Sequence, residues 1–342
     1  PLEYIKSDLI KRIGRLNLFR PISKHIRDHF SDPKIIQMLE FPSLLLGAKP
    51  SDTPALYSIM NYADIVLGTW YPSGGIRSVA KAVYEVARSV GVNFVFDSPI
   101  DEILLQGKKV KGVMATGNSY NGDIVVANAD YHHVEQKMLP KKFRNYSESY
   151  WSNRTMSPSA LLFYVGLNNK IEIPHHALFF DTDFNQHAKD IYDHPKWPEA
   201  PLFYTSCTSK SDPNVAPESG ETLFILIPVA TNLIDKEETR KKYFDQVISR
   251  MELLTKQKIA DHIEFYESYG HKNFISDFNS FQGNAYGLAN TLFQTAFLKP
   301  KIKNKKISNL YYTGQLTVPG PGMPPALVSG KVVADQVMSD IK

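Results

Sequence analysis

Between Asn309 and Lys331 the chain carries residue types that could hold a reactive group without supplying an acid or a base. Leu310 to Thr313 is a short β-type run that stops at Gly314. A turn rich in glycine and proline follows, and an apolar, helix-like segment runs from Pro324 to Met338. Glycine lets a backbone approach a ligand closely, and proline suits the first turn of a helix. A strand, a glycine turn and a helix start together offer amide donors and a partial positive charge to an electron-rich or anionic group. On these residues alone the stretch is either a cofactor cradle or an ordinary strand–loop–helix connection.

Other chemistry is sparse. The chain has no Gly-x-x-x-x-Gly-Lys-Ser/Thr phosphate loop and no Gly-x-Ser-x-Gly nucleophile elbow. His132-His133 beside Asp130, and His175-His176, invite a metal. Adjacent residues on a strand point to opposite faces, however, and no further ligand pattern accompanies them, so no metal is expected. The pairs Asp101-Glu102 and Glu237-Glu238 read as solvated faces. Glycine-rich, apolar features without acid–base machinery suit a protein that orients an organic cofactor.

The elements that must position this chemistry follow from periodicity. Residues 3–30 are a basic amphipathic pattern, either a helix on the core or a helix on an anionic membrane surface. Residues 33–66 look helical. Tyr71 to Gly75 is a turn, Ile76 to Val90 a helix, Val92 to Phe96 a short strand, and Ile100 to Leu105 and Val110 to Ala115 two more. Ser119 to Gly122 reads as a turn, and Ile124 to Ala127 as a buried strand. Ala160 to Leu167 and Thr222 to Val229 are β-like, residues 235–256 form a surface helix, and Lys299 to Lys306 reads as a solvated basic connection.

Composition sets the bounds. The 342 residues exceed one typical domain and can bury a substantial core. An apolar share of 43% excludes disorder, and 12% aromatics would suit a large apolar pocket as well as an aromatic core. A net charge of +4, from 39 basic and 35 acidic residues, is too mild to point to nucleic acid. Cys207 is the sole cysteine, so no internal disulfide forms and a reducing compartment is favoured. No apolar run has the length of a membrane span. The first residues, Pro1-Leu2-Glu3, read as the continuation of something longer.

Several blocks, taken in order, resemble the FAD-dependent carotenoid (phytoene) desaturase family within the amine-oxidase-like flavoproteins. They are Tyr71 to Ile76 with its helix, Gly91 to Ile103, Val125 to Asp130, Ser206 to Pro228, Gly283 to Gly287, and Asn309 to Lys331. The resemblance implies an α/β (α+β mixed) fold, with an incomplete Rossmann-like FAD domain and a substrate domain of mixed sheet and helices. It divides the chain into a substrate- or membrane-associated helical part at 1–70, FAD-domain parts at 71–135 and 281–342, and a substrate domain at 136–280. It implies FAD contacts from Ile100, Asn128, Ala129, Asp130, Gly314, Gln315, Met323, Pro324 and Pro325. Tyr57, Trp70, Tyr71, Phe281, Tyr286 and Phe293 become candidates for a polyene tunnel, each of which core packing would equally explain. The implied reaction removes two hydrogens from a C–C unit of a carotenoid, with hydride passing to flavin N5 and oxygen or a quinone as final acceptor; the base is not identified.

Two departures stand out. Gln315 occupies a position often acidic or small in the family, and Thr317-Val318-Pro319-Gly320 replaces a Thr-His-Pro-Gly turn. The family's N-terminal strand–Gly-x-Gly-x-x-Gly–helix is absent from these residues, so as it stands the chain would bind FAD poorly. A carotene isomerase, a retinol-saturase-like enzyme, a flavin amine oxidase and an inactive lipid-binding fragment are the alternatives. The implied location is cytoplasmic, peripheral to a membrane.

Overall fold

The computed structural model describes residues 20–45, 47–291 and 293–342. In chain order its main helices are α1 (Ile22–Arg27), α2 (Pro33–Leu45), α3 (Ser58–Tyr62), α4 (Ile76–Ser89), α5 (Tyr131–His133), α6 (Glu148–Ser152), α7 (Phe184–Tyr192), α8 (Glu237–Thr255), α9 (His271–Phe278) and α10 (Met323–Asp340). The strands are β1 (Ile100–Gln106), β2 (Lys109–Ala115), β3 (Asn118–Asn121), β4 (Val125–Ala127), β5 (Ser159–Leu167), β6 (His176–Phe179), β7 (Phe203–Ser206), β8 (Glu221–Val229), β9 (Ile263–Tyr269) and β10 (Leu310–Tyr312). Helices and sheets are thus both present, the mixed α/β class expected. The basic pattern over residues 3–30 lies mostly outside the described residues. Among the described residues no helix is long and apolar enough to cross a membrane.

The chain forms two compact units. One unit comprises Trp70–Ser98 and Ser159–Asp277; the other comprises the segments up to Thr69, Pro99–Pro158 and Phe278–Lys342.

The first unit is built on a five-stranded sheet in the order β6-β7-β8-β5-β9. Every pairing is antiparallel, where a mixed sheet was expected. The connections fit this: β5 crosses past β8 and β7 to β6, β7 returns onto β8, and the connection through α8 lands β9 beside β5. Alternate residues Leu223, Ile225, Ile227 and Val229 of β8 are buried, as period-two patterning requires of a sheet with one covered face. They share a core with Tyr243, Phe244, Val247, Ile248 and Met251, the apolar stripe of α8. Arg240 of that helix, itself buried, grips Asp235 with two bonds of 2.7 and 2.5 Å. Val92 to Phe96 corrects one expectation: among the described residues it pairs with no strand. Phe94 instead packs on Tyr84 of α4, ring centroids 4.5 Å apart.

The second unit contains the meander β1-β2-β3 and a parallel pair, β4 and β10. A turn was expected at Ser119 to Gly122, but Asn118–Asn121 is a strand paired to β2. Thr116 and Gly117, with φ of 47° and 79°, already reverse the chain, and two consecutive positive φ values match the twist of a hairpin. The core here is aromatic: Tyr131 stacks on Tyr312 at 4.0 Å and lies 5.7 Å from Trp151. Buried Glu135 accepts bonds from the Asn145 and Tyr146 amides and from the Tyr312 hydroxyl; burial raises its pKa.

Candidate cofactor site

Three backbone features converge in the second unit. Strands β4 and β10 run parallel, Leu310 to Tyr312 in register with Val125 to Ala127. Parallel strands end side by side, and ligands of open α/β sheets bind outside those carboxyl ends. Asn309 fixes the entry to this pair: its side chain donates to the carbonyls of Val110 and Asp123 and accepts from the Val110 amide. Thr313 continues the ladder by donating to the Ala127 carbonyl at 3.0 Å.

Past the strand ends stand Asn128 and Gly314. Gly314 has φ of +103°, and a Cβ there would lie 2.9 Å from Asn128 Oδ1. The positive φ favours glycine here, and any side chain would also have to displace the Asn128 amide. Ser329, buried within α10, locks the turn from beneath. Its hydroxyl accepts from the Gly314 amide at 3.0 Å and exchanges bonds with Thr313 and Thr317 at 2.9 and 3.1 Å. The loop from Gly283 to Gly287 is built against the same turn. Asn284 bonds the Phe281 carbonyl and the Gly287 amide, and a Cβ on Gly287 would meet the Gln315 carbonyl at 3.1 Å.

Helix α10 opens at Met323, with Gly322 before it at φ of +114°. Its first turn contains Pro324 and Pro325, neither of which has an N–H. Ala326 already donates to the Gly322 carbonyl, so Met323 alone contributes a free-standing first-turn amide. The expectation of a set of amide donors at this helix start is corrected accordingly: the helix offers its field, with little hydrogen bonding. That combination suits an electron-rich ring better than a phosphate, and the positive-φ glycines keep the turn's backbone free of side chains. These residues fit a flavin.

The remaining candidates are dispersed. Ile100 begins β1 and is 39% exposed. Asn128 and Ala129 are exposed just beyond β4. Asp130 caps α5, its two oxygens accepting from the His133 and Phe281 amides at 3.0 and 3.1 Å, and burial raises its pKa. The first contact caps the helix, and the second ties the loop at Phe281 to the end of β4. Gln315 is half-buried; Met323 and Pro324 are exposed and Pro325 is half-buried. Of the aromatics, Tyr57 bonds Thr295 at 2.7 Å, and Phe281 packs on His132 at 4.0 Å against the aromatic core. Tyr286 is half-buried, its hydroxyl pKa raised by burial, and Phe293 is 81% exposed. Trp70, 87% exposed, and Tyr71, edge-on to His175 at 5.1 Å, belong to the other unit. The histidine pairs make ordinary polar contacts, His132 to Glu148, His175 to Ser211 and His176 to Tyr204.

Sequence reasoning missed Ser329 and Lys299. A serine in an otherwise apolar helix was the signal for the first. The basic segment from Lys299 was read as solvated, yet Lys299 is 2% exposed and Asn304 is 3% exposed. Asn304 earns its burial through bonds to the Phe143 carbonyl and the Tyr312 hydroxyl.

With this geometry in place, the relationships to known proteins are informative. A family model described as flavin containing amine oxidoreductase matches residues 8–338, so the chain belongs to that flavoprotein family. Among curated relatives it is 36% identical over 327 residues to a carotenoid 3,4-desaturase of Haloarcula japonica, covering 95% of this chain and 66% of that protein. It is 26% identical over 346 residues to a zeta-carotene-forming phytoene desaturase of Myxococcus xanthus, covering 98% and 66% respectively. The chain thus spans just under two thirds of the length of these relatives. The fold is also similar to that of an oxidoreductase from Methanosarcina mazei, with a TM-score of 0.64 at 15% identity, covering 96% of this chain and 71% of that one.

Proposed function

We propose that the protein containing this chain is an FAD-dependent oxidoreductase acting on CH–CH groups, a desaturase of carotenoids. The observation that carries this reading is the turn at the ends of β4 and β10, where Gly314 takes a positive φ beside Asn128. Asn128, Ala129 and Asp130 would flank the dinucleotide, with the β1 start at Ile100 near the adenine. Gly314 and Gln315 would pass the pyrophosphate and ribityl chain, and Met323 to Pro325 would underlie the ring. Bound FAD supplies a two-electron hydride acceptor. The chain's part is to bind and orient. Ser329 holds the Thr313–Thr317 turn rigid, the helix field of α10 polarises what lies over it, and the paired prolines leave that surface apolar. Asp130, committed to two backbone amides, is a cap and not the proton acceptor.

The substrate in this reading is an acyclic, hydroxylated or monocyclic carotene, the 3,4-desaturation of the Haloarcula relative being one such reaction. Tyr57, Tyr286 and Phe293 would contact the polyene, and oxygen or a quinone would reoxidise the cofactor. Contact with a membrane surface at the cytoplasmic face follows from so apolar a substrate. The exposed Ile59, Met60, Ile65, Val66 and Leu67 form an apolar patch suited to it. The test is to supply FAD and an acyclic carotene and record the product spectrum. Added conjugated double bonds support desaturation. An unchanged bond number would indicate an isomerase, and peroxide released from amines would indicate an amine oxidase; either outcome rejects the reading.

A further inference from the structure

Among the described residues of the second unit, Lys299 is an ammonium-bearing side chain whose charged end the fold encloses without a hydrogen-bond partner. It is 2% exposed, and its Nζ is buried with no hydrogen-bond acceptor in reach. It follows a 3₁₀ turn, Ala296–Leu298, and its own amide donates to the Ala296 carbonyl. The side chain reaches the turn that leads into α10. A Cβ on Gly320, where φ is +130°, would stand 3.1 Å from Lys299 Cε, 3.4 Å from Nζ and 3.6 Å from Asn290 Oδ1. Glycine at 320 therefore makes the space the lysine occupies.

A dry, unpaired ammonium is costly, and proteins ordinarily pair such a group or let it lose its proton. Burial alone pulls the Lys299 pKa down to about 8, so near neutral pH the amine still holds its proton for most of the time. An apolar side chain of the same length would fill the space at lower cost. The arrangement makes physical sense when an electron-rich partner completes it, as the turn from Gly314 to Gly322 and the start of α10 are shaped to allow.

We propose that Lys299 is a charge-stabilising residue for the flavin: its ammonium is the counter-charge for the negative charge that a flavin carries when reduced. This rests on the reading that FAD lies over the Gly314–Pro325 segment. The positive end of α10 and the Lys299 ammonium then act in the same sense, favouring the electron-rich state of the cofactor. Lys299 need not touch the substrate, and its effect falls on the cofactor's electron affinity.

The experiment has two arms. In FAD-free protein, lysine-selective NMR should find one ammonium titrating near 8, absent from Lys299→Met, and shifted upward once reduced FAD is bound. Lys299→Met should also melt at a higher temperature than the parent without FAD, because it removes an unpaired buried charge. In the FAD-loaded protein, Lys299→Met should weaken sulfite binding by the flavin about tenfold and lower its midpoint potential by about 30 mV, the two-electron equivalent of tenfold. Lys299→Arg should restore most of both. A Lys299 that titrates at the ordinary lysine value, or a loaded Lys299→Met with unchanged sulfite affinity and potential, overturns the inference. If the parent protein takes up no FAD at all, the FAD reading itself is what fails.

Discussion

The two units solve opposite problems. The sheet unit puts its regular elements around a closed apolar core, with β5 and β8 on one side and the α8 stripe on the other, and its buried charge Arg240 is fully engaged. The other unit puts its specific geometry into irregular backbone. Its proposed cradle consists of strand ends, positive-φ glycines, a serine hydroxyl acting inside a helix, and a buried lysine whose ammonium makes no hydrogen bond. Stability in the first is spread over many contacts, whereas the second concentrates the proposed cofactor contacts in a few positions. Substitutions of matched severity should therefore separate the two: damage to the sheet unit should appear as unfolding, and damage to the cradle as lost cofactor.

The largest effect should come from Arg240→Met. It leaves buried Asp235 without its guanidinium, which costs about 3–5 kcal/mol when one partner of a buried pair is removed. Denaturant unfolding should show that loss, while the flavin retained per folded molecule stays at the parental level. Gly314→Val should do the reverse. Strain at a positive φ costs about 1–3 kcal/mol, so the protein should still fold, but the flavin absorbance of the purified protein should largely vanish. Equal flavin loss in both variants would erase the distinction drawn here.

Ser329→Ala should be milder. It orphans the Gly314 amide and loosens Thr313 and Thr317, a penalty of about 1–3 kcal/mol. FAD affinity should fall more than the melting point does. The smallest effect is acid sensitivity of the sheet unit through His187. This imidazole donates to the Pro228 carbonyl and accepts from the Leu202 amide, so it must be neutral in the fold. Burial, reinforced by Arg250 and opposed by Asp190 and the Pro228 bond, lowers its pKa from 6.5 to about 4. Between those values the unfolded chain binds a proton that the folded chain refuses. The contribution is whole above pH 6.5 and is lost as pH falls toward about 4. Unfolding midpoints at pH 7 and pH 5 should differ by less in His187→Gln than in the parent.

Legibility in the sequence follows the same division. Helix α8 and strands β5 and β8 were readable because one face of each is buried, and burial on one face imposes a period. The strand expected at Val92 to Phe96 failed because β propensity is realised only against a pairing partner, and Tyr84 supplied a packing surface for Phe94 instead. Thr116-Gly117 was overlooked as a reversal because threonine seldom takes a positive φ. The glycines and prolines of residues 309–331 suggested a cofactor cradle as readily as an ordinary connection. What could not be read was that Gly314 meets Asn128, since that contact joins two strand ends far apart in the chain. Lys299 was misread because lysine is almost always solvated, and nothing local announces an exception.

The parallel pairing of β4 with β10 also sets an order of assembly. Asn128 is synthesised well before Gly314, and all of Ser159–Asp277, with its own apolar core, is made in between. Contacts between distant segments close slowly, because the loop entropy is spent before the contact returns anything. The sheet unit can collapse while the cradle is still two unconnected halves. In the proposed reading a flavin would therefore join a chain whose sheet unit can already have collapsed.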